Sequence, residues 1–187
     1  MRYPILRFTL AVAALSLAAC SDSTAPLAAS DDASLVRAKP GTSTIVELAQ
    51  GTSALSTLVF AIGYSDANCG TSFAATLSSK DGQYTVFAPT NDAFTNLIGA
   101  LGAETVLSCD VLPTVLAFHV TPGRHTSTSV LAHKSIRMLS GERAEVEGTT
   151  IAGAPLNLGL VNISASNGIV HVVDAVLIPP SILAALE

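Results

Sequence analysis

The side chains that could perform acid–base or nucleophilic chemistry are few and widely spaced in this sequence. Asp92 and His171 are of the types that exchange protons, and Ser164 or Ser166 could supply a hydroxyl nucleophile near His171. The sequence has no Gly-x-Ser-x-Gly elbow, no His-Glu-x-x-His pair and no paired-carboxylate motif to position them. We therefore expect no enzymatic activity. Asp92 is expected to serve the start of a helix, and His171 to be hydrogen-bonded in the core.

Three other histidines could be considered as metal ligands. His119 falls at the expected end of a helix, whereas His125 and His133 fall in expected loops. A metal site needs several ligands close together, and the sequence has neither a Cys-x-x-Cys nor a His-x-x-x-His spacing. We expect no bound metal and no other cofactor.

Composition limits the classes of protein to which the chain can belong. Its 187 residues suffice for one domain with a hydrophobic core, and 49% hydrophobic against 12% charged residues excludes a disordered chain. The formal net charge is −5, and no cluster of basic residues stands out. We expect no nucleic-acid partner, because binding to phosphates requires a concentrated cationic face.

The amino terminus has the pattern of a secretory signal peptide over residues 1–19. Arg2 and Arg7 precede an apolar run from Phe8 to Ala19, which is shorter than the roughly 20 residues that span a bilayer. The run ends in Leu17-Ala18-Ala19-Cys20, which resembles the bacterial lipobox. An ordinary signal peptide with an incidental cysteine is the alternative.

The lipobox predicts that Cys20 becomes the acylated first residue of the mature protein, with palmitate among its acyl chains. The predicted location is therefore the bacterial cell envelope, with a lipid anchor in the membrane and the domain facing the periplasm or the cell exterior. Ser21 at the next position favours the outer membrane. Residues 20–41 are rich in Ser, Ala, Asp, Thr and Pro, and their composition predicts a flexible tether that precedes a domain over residues 42–187.

Three cysteines are present, and lipidation of Cys20 would leave Cys69 and Cys109 as one pair. Exported proteins keep disulfides, and Cys69 lies in a segment with the composition of a loop, where a buried thiol is not expected. These observations favour a disulfide between Cys69 and Cys109. Two separate buried thiols are the alternative.

Apolar spacing predicts helices in the first half of the domain and strands in the second. Thr90 or Asn91 can cap a helix that has Asp92 in its first turn and runs to Leu101. The other expected helices span 44–49, 55–62, 73–77 and 111–118, and the expected strands span 84–88, 135–139, 143–146, 149–151, 160–163 and 169–178. Helices followed by strands with short turns indicate an α+β fold with an antiparallel sheet.

The strand predicted over residues 169–178 is apolar on both faces. His171 is the one ionisable group on one face, and Asp174 is the one ionisable group on the other. Such a strand is expected at the centre of a sheet, buried on both sides. Both side chains would then need hydrogen-bond partners.

Three blocks of the sequence resemble the fasciclin (FAS1) domain family. The family's first motif is similar to residues 85–94, which include Thr90, Asn91 and Asp92, and its central histidine segment is similar to residues 116–120 around His119. Its second motif is similar to residues 167–179, which begin with Asn167 and Gly168 and contain His171 and Asp174. The blocks occur in the family's order, and the resemblance covers about residues 42–187.

This resemblance implies an antiparallel β-wedge or sandwich wrapped by short α-helices, in an extracellular module associated with adhesion and without established catalytic chemistry. In animal matrix members of the family, integrin binding is associated with a Tyr-His pair in the central segment and an Asp-Ile pair before the second motif. Here Phe118 precedes His119, and Asn162 precedes Ile163. Integrin-type recognition is therefore not expected.

Two functions from different classes remain open on the sequence. The first is an adhesion or interaction module that contacts other proteins or matrix polymers. The second is a periplasmic binding protein that holds a small apolar ligand between helices and sheet. An exposed apolar patch would favour the first function, and a closed apolar pocket of about 300 Å³ or more would favour the second.

Overall fold

The computed structural model describes residues 41–186. The predicted signal peptide, the lipidation of Cys20 and the tether up to residue 40 lie outside the described residues. The helices are α1 (Ile45–Gln50), α2 (Ser56–Asn68), α3 (Phe73–Ser78), α4 (Asn91–Leu101), α5 (Ala103–Val106), α6 (Leu112–Phe118), α7 (Ser127–Leu131) and α8 (Pro180–Leu186). The strands are β1 (Tyr84–Pro89), β2 (Val120–Pro122), β3 (Ser135–Arg137), β4 (Arg143–Glu147), β5 (Thr150–Ile151), β6 (Ala154–Pro155), β7 (Ile163–Ala165) and β8 (Gly168–Val173).

The first sheet has the strand order β2-β1-β8-β7. The pairs β1–β2 and β7–β8 are antiparallel, but β1 and β8 run parallel, with Tyr84 opposite Gly168 and Pro89 opposite Val173. The α+β class is confirmed, whereas the expectation of an antiparallel sheet is corrected to a mixed one. The long chain between β1 and β8, which contains both helices and strands, makes the parallel pairing possible.

The second sheet is antiparallel, with the order β3-β4-β5-β6. The two sheets are connected where Leu156 forms a bridge with Val173 at the end of β8. They also approach at their other edge, where the Leu139 N–H donates to the Val120 carbonyl at 2.7 Å. The sheets therefore form the two arms of a wedge.

The first sheet is buried on both faces because helices cover one side and the second sheet covers the other. Val86 and Val170 pack in the core with α1, α2, α4 and α6. Phe87 and Val173 lie on the opposite face of the same two strands. They pack with residues of the second sheet such as Ile136 and Ile151. This arrangement explains why β1 and β8 are apolar along their whole length.

Side-chain caps fix where several helices begin. Thr44 and Glu47 form a capping box at α1, and the Thr90 hydroxyl accepts the Ala93 N–H at 3.3 Å at the start of α4. Asp92 lies in the first turn of α4. Thr90, rather than Asn91, is therefore the cap of this helix.

The end of the domain differs from the sequence prediction. The strand predicted to reach residue 178 stops at Val173, since Asp174 donates its N–H to Pro155 and the chain turns away. Asp174 is consequently exposed, and the expectation that it is buried was wrong. The strand predicted over 160–163 lies at Ile163–Ala165 instead. The elements β2, β6, α5, α7 and α8 were not predicted.

The described chain begins beside β7. The Gly41 N–H donates to the Ser164 carbonyl at 3.1 Å, and the Ser166 N–H donates to the Ser43 carbonyl at 2.8 Å. Residues 41–43 thus cover the outer edge of β7. Within residues 41–186, every helix is too short or too polar to cross a membrane.

Candidate functional site: motif residues and surface grooves

Asn167 joins three parts of the fold from a fully buried position. Its Oδ1 accepts the Ile45 N–H at 2.9 Å, and its Nδ2 donates to the carbonyls of Leu77 at 2.6 Å and Ser79 at 2.9 Å. At the next position, a Cβ on Gly168 would overlap the carbonyl oxygen of Tyr84. The start of the second motif therefore holds α1, α3 and β1 together.

His171 is buried on β8, beside Phe87, with ring centroids 5.7 Å apart. Its Nδ1 accepts the Asn162 N–H at 3.1 Å, so its proton is on Nε2, which donates to the His125 carbonyl at 2.9 Å. Burial lowers the pKa of His171. The imidazole is therefore neutral, with both nitrogens engaged, and it cannot act as a free base.

His119 follows α6 and is also buried. Its Nδ1 donates to the Val115 carbonyl at 2.7 Å, and its Nε2 accepts the Leu177 N–H at 2.9 Å. Burial lowers the pKa of His119 to about 4. This ring connects α6 to the chain that follows β8, in the tautomer opposite to that of His171.

Asn91 connects α4 to the start of α2. Its Oδ1 accepts the Thr57 N–H at 2.9 Å, and its Nδ2 donates to the Ser53 carbonyl at 2.9 Å. The Thr90 N–H donates to the Val173 carbonyl at 3.2 Å, which ties the first motif to the end of β8. These polar side chains are therefore committed to contacts within the domain.

A polar groove of about 480 Å³ brings the two motifs together at the surface, and we call it the motif groove. Its walls include Asp92 from α4, Asp174 from the end of β8, and Asn157. The Asn157 Nδ2 donates to Asp174 at 3.3 Å. Among residues 41–186, no group of three or more His, Cys, Asp or Glu side chains is arranged to hold a metal ion. His171, which sequence reasoning considered with Asp92, is not among the residues of this groove.

A larger groove of about 520 Å³ lies between the edges of the two sheets, and we call it the edge groove. Its walls include Pro122 and His125 on one side and Ser135, Arg137 and Leu139 on the other. Sequence reasoning missed this groove. The available signal was Pro122, because a proline at the end of a short strand marks a sheet edge.

The disulfide between Cys69 and Cys109 is present, with 5.2 Å between the two Cα atoms. It connects the end of α2 to the turn before α6. The alternative of two separate buried thiols is therefore excluded.

Comparison with known proteins decides the family. A family model described as the fasciclin domain matches residues 53–179. The chain belongs to the fasciclin domain family. Protein sll1483 of Synechocystis sp. is 36% identical to this FAS1 protein over 152 residues, which cover 73% of this chain and 74% of that protein.

Two further similarities cover less of the other protein. The cell surface glycolipoprotein MPB83 of Mycobacterium bovis is 32% identical over 102 residues, which are 54% of this chain and 46% of MPB83. A solved FAS1 domain pair from the insect cell adhesion molecule fasciclin I matches 74% of this chain and 52% of that chain, with a TM-score of 0.56 and 15% identity. The chain thus spans about half of each, and the second match concerns the fold alone.

In this FAS1 domain, the central histidine segment is not a surface feature. Phe118 is 0% exposed and His119 is 2% exposed. Asn162, which stands in place of the Asp of the Asp-Ile pair, accepts the Ser127 N–H and donates to the Ser127 hydroxyl, both at 2.8 Å. Phe118 and His119 are therefore inaccessible to a partner in the folded domain.

The space between the helices and the first sheet is nearly filled. A cavity lined by Leu58, Phe73, Leu116 and Val120 has a volume of about 10 Å³. This volume is at the lower limit for one water molecule. A small apolar ligand would need this region to open before it could bind there.

Proposed function

We propose that this protein is a lipid-anchored FAS1 module of the bacterial cell envelope, which acts by surface contact with another protein or a matrix polymer. The observation that carries the proposal is how the motif side chains are used. Asn167, His119, His171 and Asn91 all bond to backbone groups inside the domain. They build a rigid scaffold, which leaves the surface to make contacts.

The anchor is proposed from the amino-terminal sequence. The lipobox at Leu17–Cys20 supports acylation of Cys20, with palmitate among the chains, and Ser21 supports the outer membrane. MPB83, named a cell surface glycolipoprotein, gives an example of a similar sequence in a lipid-bearing surface protein. The tether would then hold the domain away from the bilayer, facing the periplasm or the cell exterior.

We infer that the module catalyses no reaction. A catalytic histidine needs a nitrogen that is free to exchange a proton with substrate. Both ring nitrogens of His119 and of His171 are engaged with backbone groups, and burial lowers the pKa of each ring. Neither imidazole can therefore serve as an acid or a base without local unfolding.

Single-domain contacts of this kind are expected to be weak, because a surface of ordinary size must offset the entropy lost on association. Many copies on one membrane can raise the overall avidity by about 10²–10⁴ without new contacts. We therefore expect beads densely coated with the disulfide-intact protein to be retained on cells or matrix far better than sparsely coated beads. Retention equal to that of uncoated beads would contradict adhesion.

The same preparation tests the alternative of a ligand carrier. If dense beads fail to adhere while the free protein removes a small apolar molecule from a cell extract, a carrier function replaces adhesion. The anchor is tested separately by mass spectrometry of the mature amino terminus, which should show an acylated Cys20. Cys20→Ala should release the protein without detergent, and continued tight membrane partitioning of this variant would contradict lipidation.

A further inference from the structure

The edge groove exists because β2 and β3 begin to pair and then separate. The Leu139 N–H donates to the Val120 carbonyl at 2.7 Å, as in an antiparallel ladder. The next bond of such a ladder would need an N–H at position 122, which Pro122 lacks. The Thr121 hydroxyl donates to the Arg137 carbonyl at 2.8 Å instead, and beyond this point the strands diverge.

The divergence leaves one side of β3 open. Within residues 41–186, β3 has a sheet neighbour on one side only, and this neighbour is β4. The Val146 N–H donates to the Lys134 carbonyl, and the Met138 N–H donates to the Glu142 carbonyl. The backbone bonds to β4 therefore fall at the even-numbered positions of this segment. The backbone groups of Ser135 and Arg137 therefore point away from β4 and towards the edge groove.

The charge of the edge groove differs from that of the rest of the protein. The chain has a formal charge of −5, yet none of the ten residues that line the groove is Asp or Glu. Arg137 lines it and is exposed. The charged residues of β4, Arg143, Glu145 and Glu147, line a different groove. The edge groove therefore contains the Arg137 cation and no carboxylate, in an acidic molecule.

We propose that the edge groove binds an acidic polypeptide segment, which adds to β3 as an extra strand. This proposal rests on the function proposed above and names the class of partner. The segment would form ladder bonds with the N–H and carbonyl of Ser135 and with the Arg137 N–H, since the Arg137 carbonyl already accepts the Thr121 hydroxyl and Pro122 leaves β2 no N–H to offer there. Its carboxylates at alternate positions would lie on the same face as Arg137, and the apolar side chains between them would lie on the same face as Ile136.

The first test uses synthetic peptides of alternating Glu and Val, with alternating Lys and Val as the charge control, and the full protein with its disulfide intact. Fluorescence anisotropy should show saturable binding of the Glu-Val peptide and at least tenfold weaker binding of the Lys-Val peptide. Arg137→Glu should weaken Glu-Val binding at least tenfold. Lys80→Glu makes a similar change of charge at an exposed site outside the groove, and it should leave binding within twofold. Equal effects of the two substitutions, or no binding of the Glu-Val peptide, would overturn the proposal.

The second test separates strand addition from simple attraction of charges. Ser135→Pro removes the N–H that points into the groove and should weaken Glu-Val binding several-fold, whereas Ser135→Ala keeps the N–H and should not. If Ser135→Pro does not fold, a Glu-Val peptide with N-methylated backbone positions replaces it and should bind several-fold more weakly. Hydrogen exchange of the Ser135 and Arg137 amides should slow when peptide is added. Unchanged exchange, or equal binding of methylated and unmethylated peptides, would overturn strand addition.

Adhesion of densely coated beads separates the proposed peptide binding in the edge groove from the adhesion function on which it rests. If the protein adheres but Arg137→Glu adheres equally well, the edge groove is not the contact surface and adhesion through another surface stands. If the Glu-Val peptide binds as expected but dense beads of the unaltered protein do not adhere, the groove binds peptide and the adhesion function fails. Loss of adhesion in Arg137→Glu, with retention in Lys80→Glu, supports both.

Discussion

At the scale of single residues, the two buried histidines are structural parts whose tautomers are fixed by their neighbours. His119 donates through Nδ1 and accepts at Nε2, whereas His171 accepts at Nδ1 and donates through Nε2. Protonation of either ring would turn an acceptor into a donor that faces a backbone N–H. The domain should therefore lose stability when either histidine is charged.

The pH dependence of stability follows from His119. In the unfolded chain a histidine binds its proton near pH 6.5, but the buried ring has a pKa of about 4, so the unfolded state binds more protons between these values. The free energy of unfolding should fall by roughly 3 kcal/mol as pH decreases from about 6.5 to 4. Urea unfolding followed by circular dichroism measures it, since the chain has no tryptophan. His119→Gln should flatten this dependence and His133→Gln should not, whereas equal pH dependence in both variants would contradict the assignment.

Removal of the buried His171 ring should destabilise the fold without changing any exposed side chain. His171→Ala leaves the Asn162 N–H and the His125 carbonyl without their partner, and it opens space beside Phe87. We expect the free energy of unfolding to fall by roughly 1–3 kcal/mol. Thermal melting of the variant and of His125→Ala as a control provides the comparison. Unchanged melting with abolished partner binding would instead place His171 in a functional site.

For single residues, the sequence predicted which buried side chain needs hydrogen-bond partners better than it predicted where a strand ends. The doubly apolar strand correctly implied that His171 is buried and has partners, although the partners come from residues 9 and 46 positions away. The same apolar pattern led to the wrong prediction that Asp174 is buried. Periodicity continues through residue 178, and only a tertiary contact, the Asp174 N–H to the Pro155 carbonyl, shows where the strand ends.

At the scale of elements, Asn167 determines how helices meet the sheet. Its side chain bonds to the start of α1 and to two carbonyls at the end of α3. Asn167→Ala would leave one N–H and two carbonyls without these bonds, and we expect a loss of roughly 2–4 kcal/mol in the free energy of unfolding. Asn157→Ala, at a half-buried position where the lost side-chain bond to Asp174 is open to solvent, should cost well under 1 kcal/mol. Chemical denaturation of the two variants measures the difference, and similar losses would show that Asn167 does not have this role.

The element pattern explains why most helices and strands were predictable but the pairing was not. Capping residues such as Thr44 and Thr90 and the apolar run of β1 are local signals, and they identified α1, α4 and β1. The parallel pairing of β1 with β8 joins residues more than eighty positions apart, which no local signal encodes. Apolar side chains on both faces of these two strands were the available indication, because parallel strands are covered on both faces.

At the scale of the whole molecule, the disulfide closes a segment that contains α3, β1, α4 and α5. Cys69 and Cys109 are separated by 40 residues, and such a loop is expected to contribute about 4 kcal/mol by restricting the unfolded chain. The double variant Cys69→Ser, Cys109→Ser should lose about this amount in urea titration. Reduction of the unaltered protein should give the same loss, and no change in midpoint for either would contradict the prediction.

The position of the edge groove has a mechanical consequence for a chain held to a membrane at its amino end. Tension would enter the domain at residues 41–43, beside β7, and would leave through a partner at β2 and β3, on the opposite edge of the first sheet. The force must therefore cross β8 and β1. These two strands pair over six residues each, so several backbone bonds hold them together against separation. The longest pairing in the fold thus lies at the centre of the path along which the domain would be pulled.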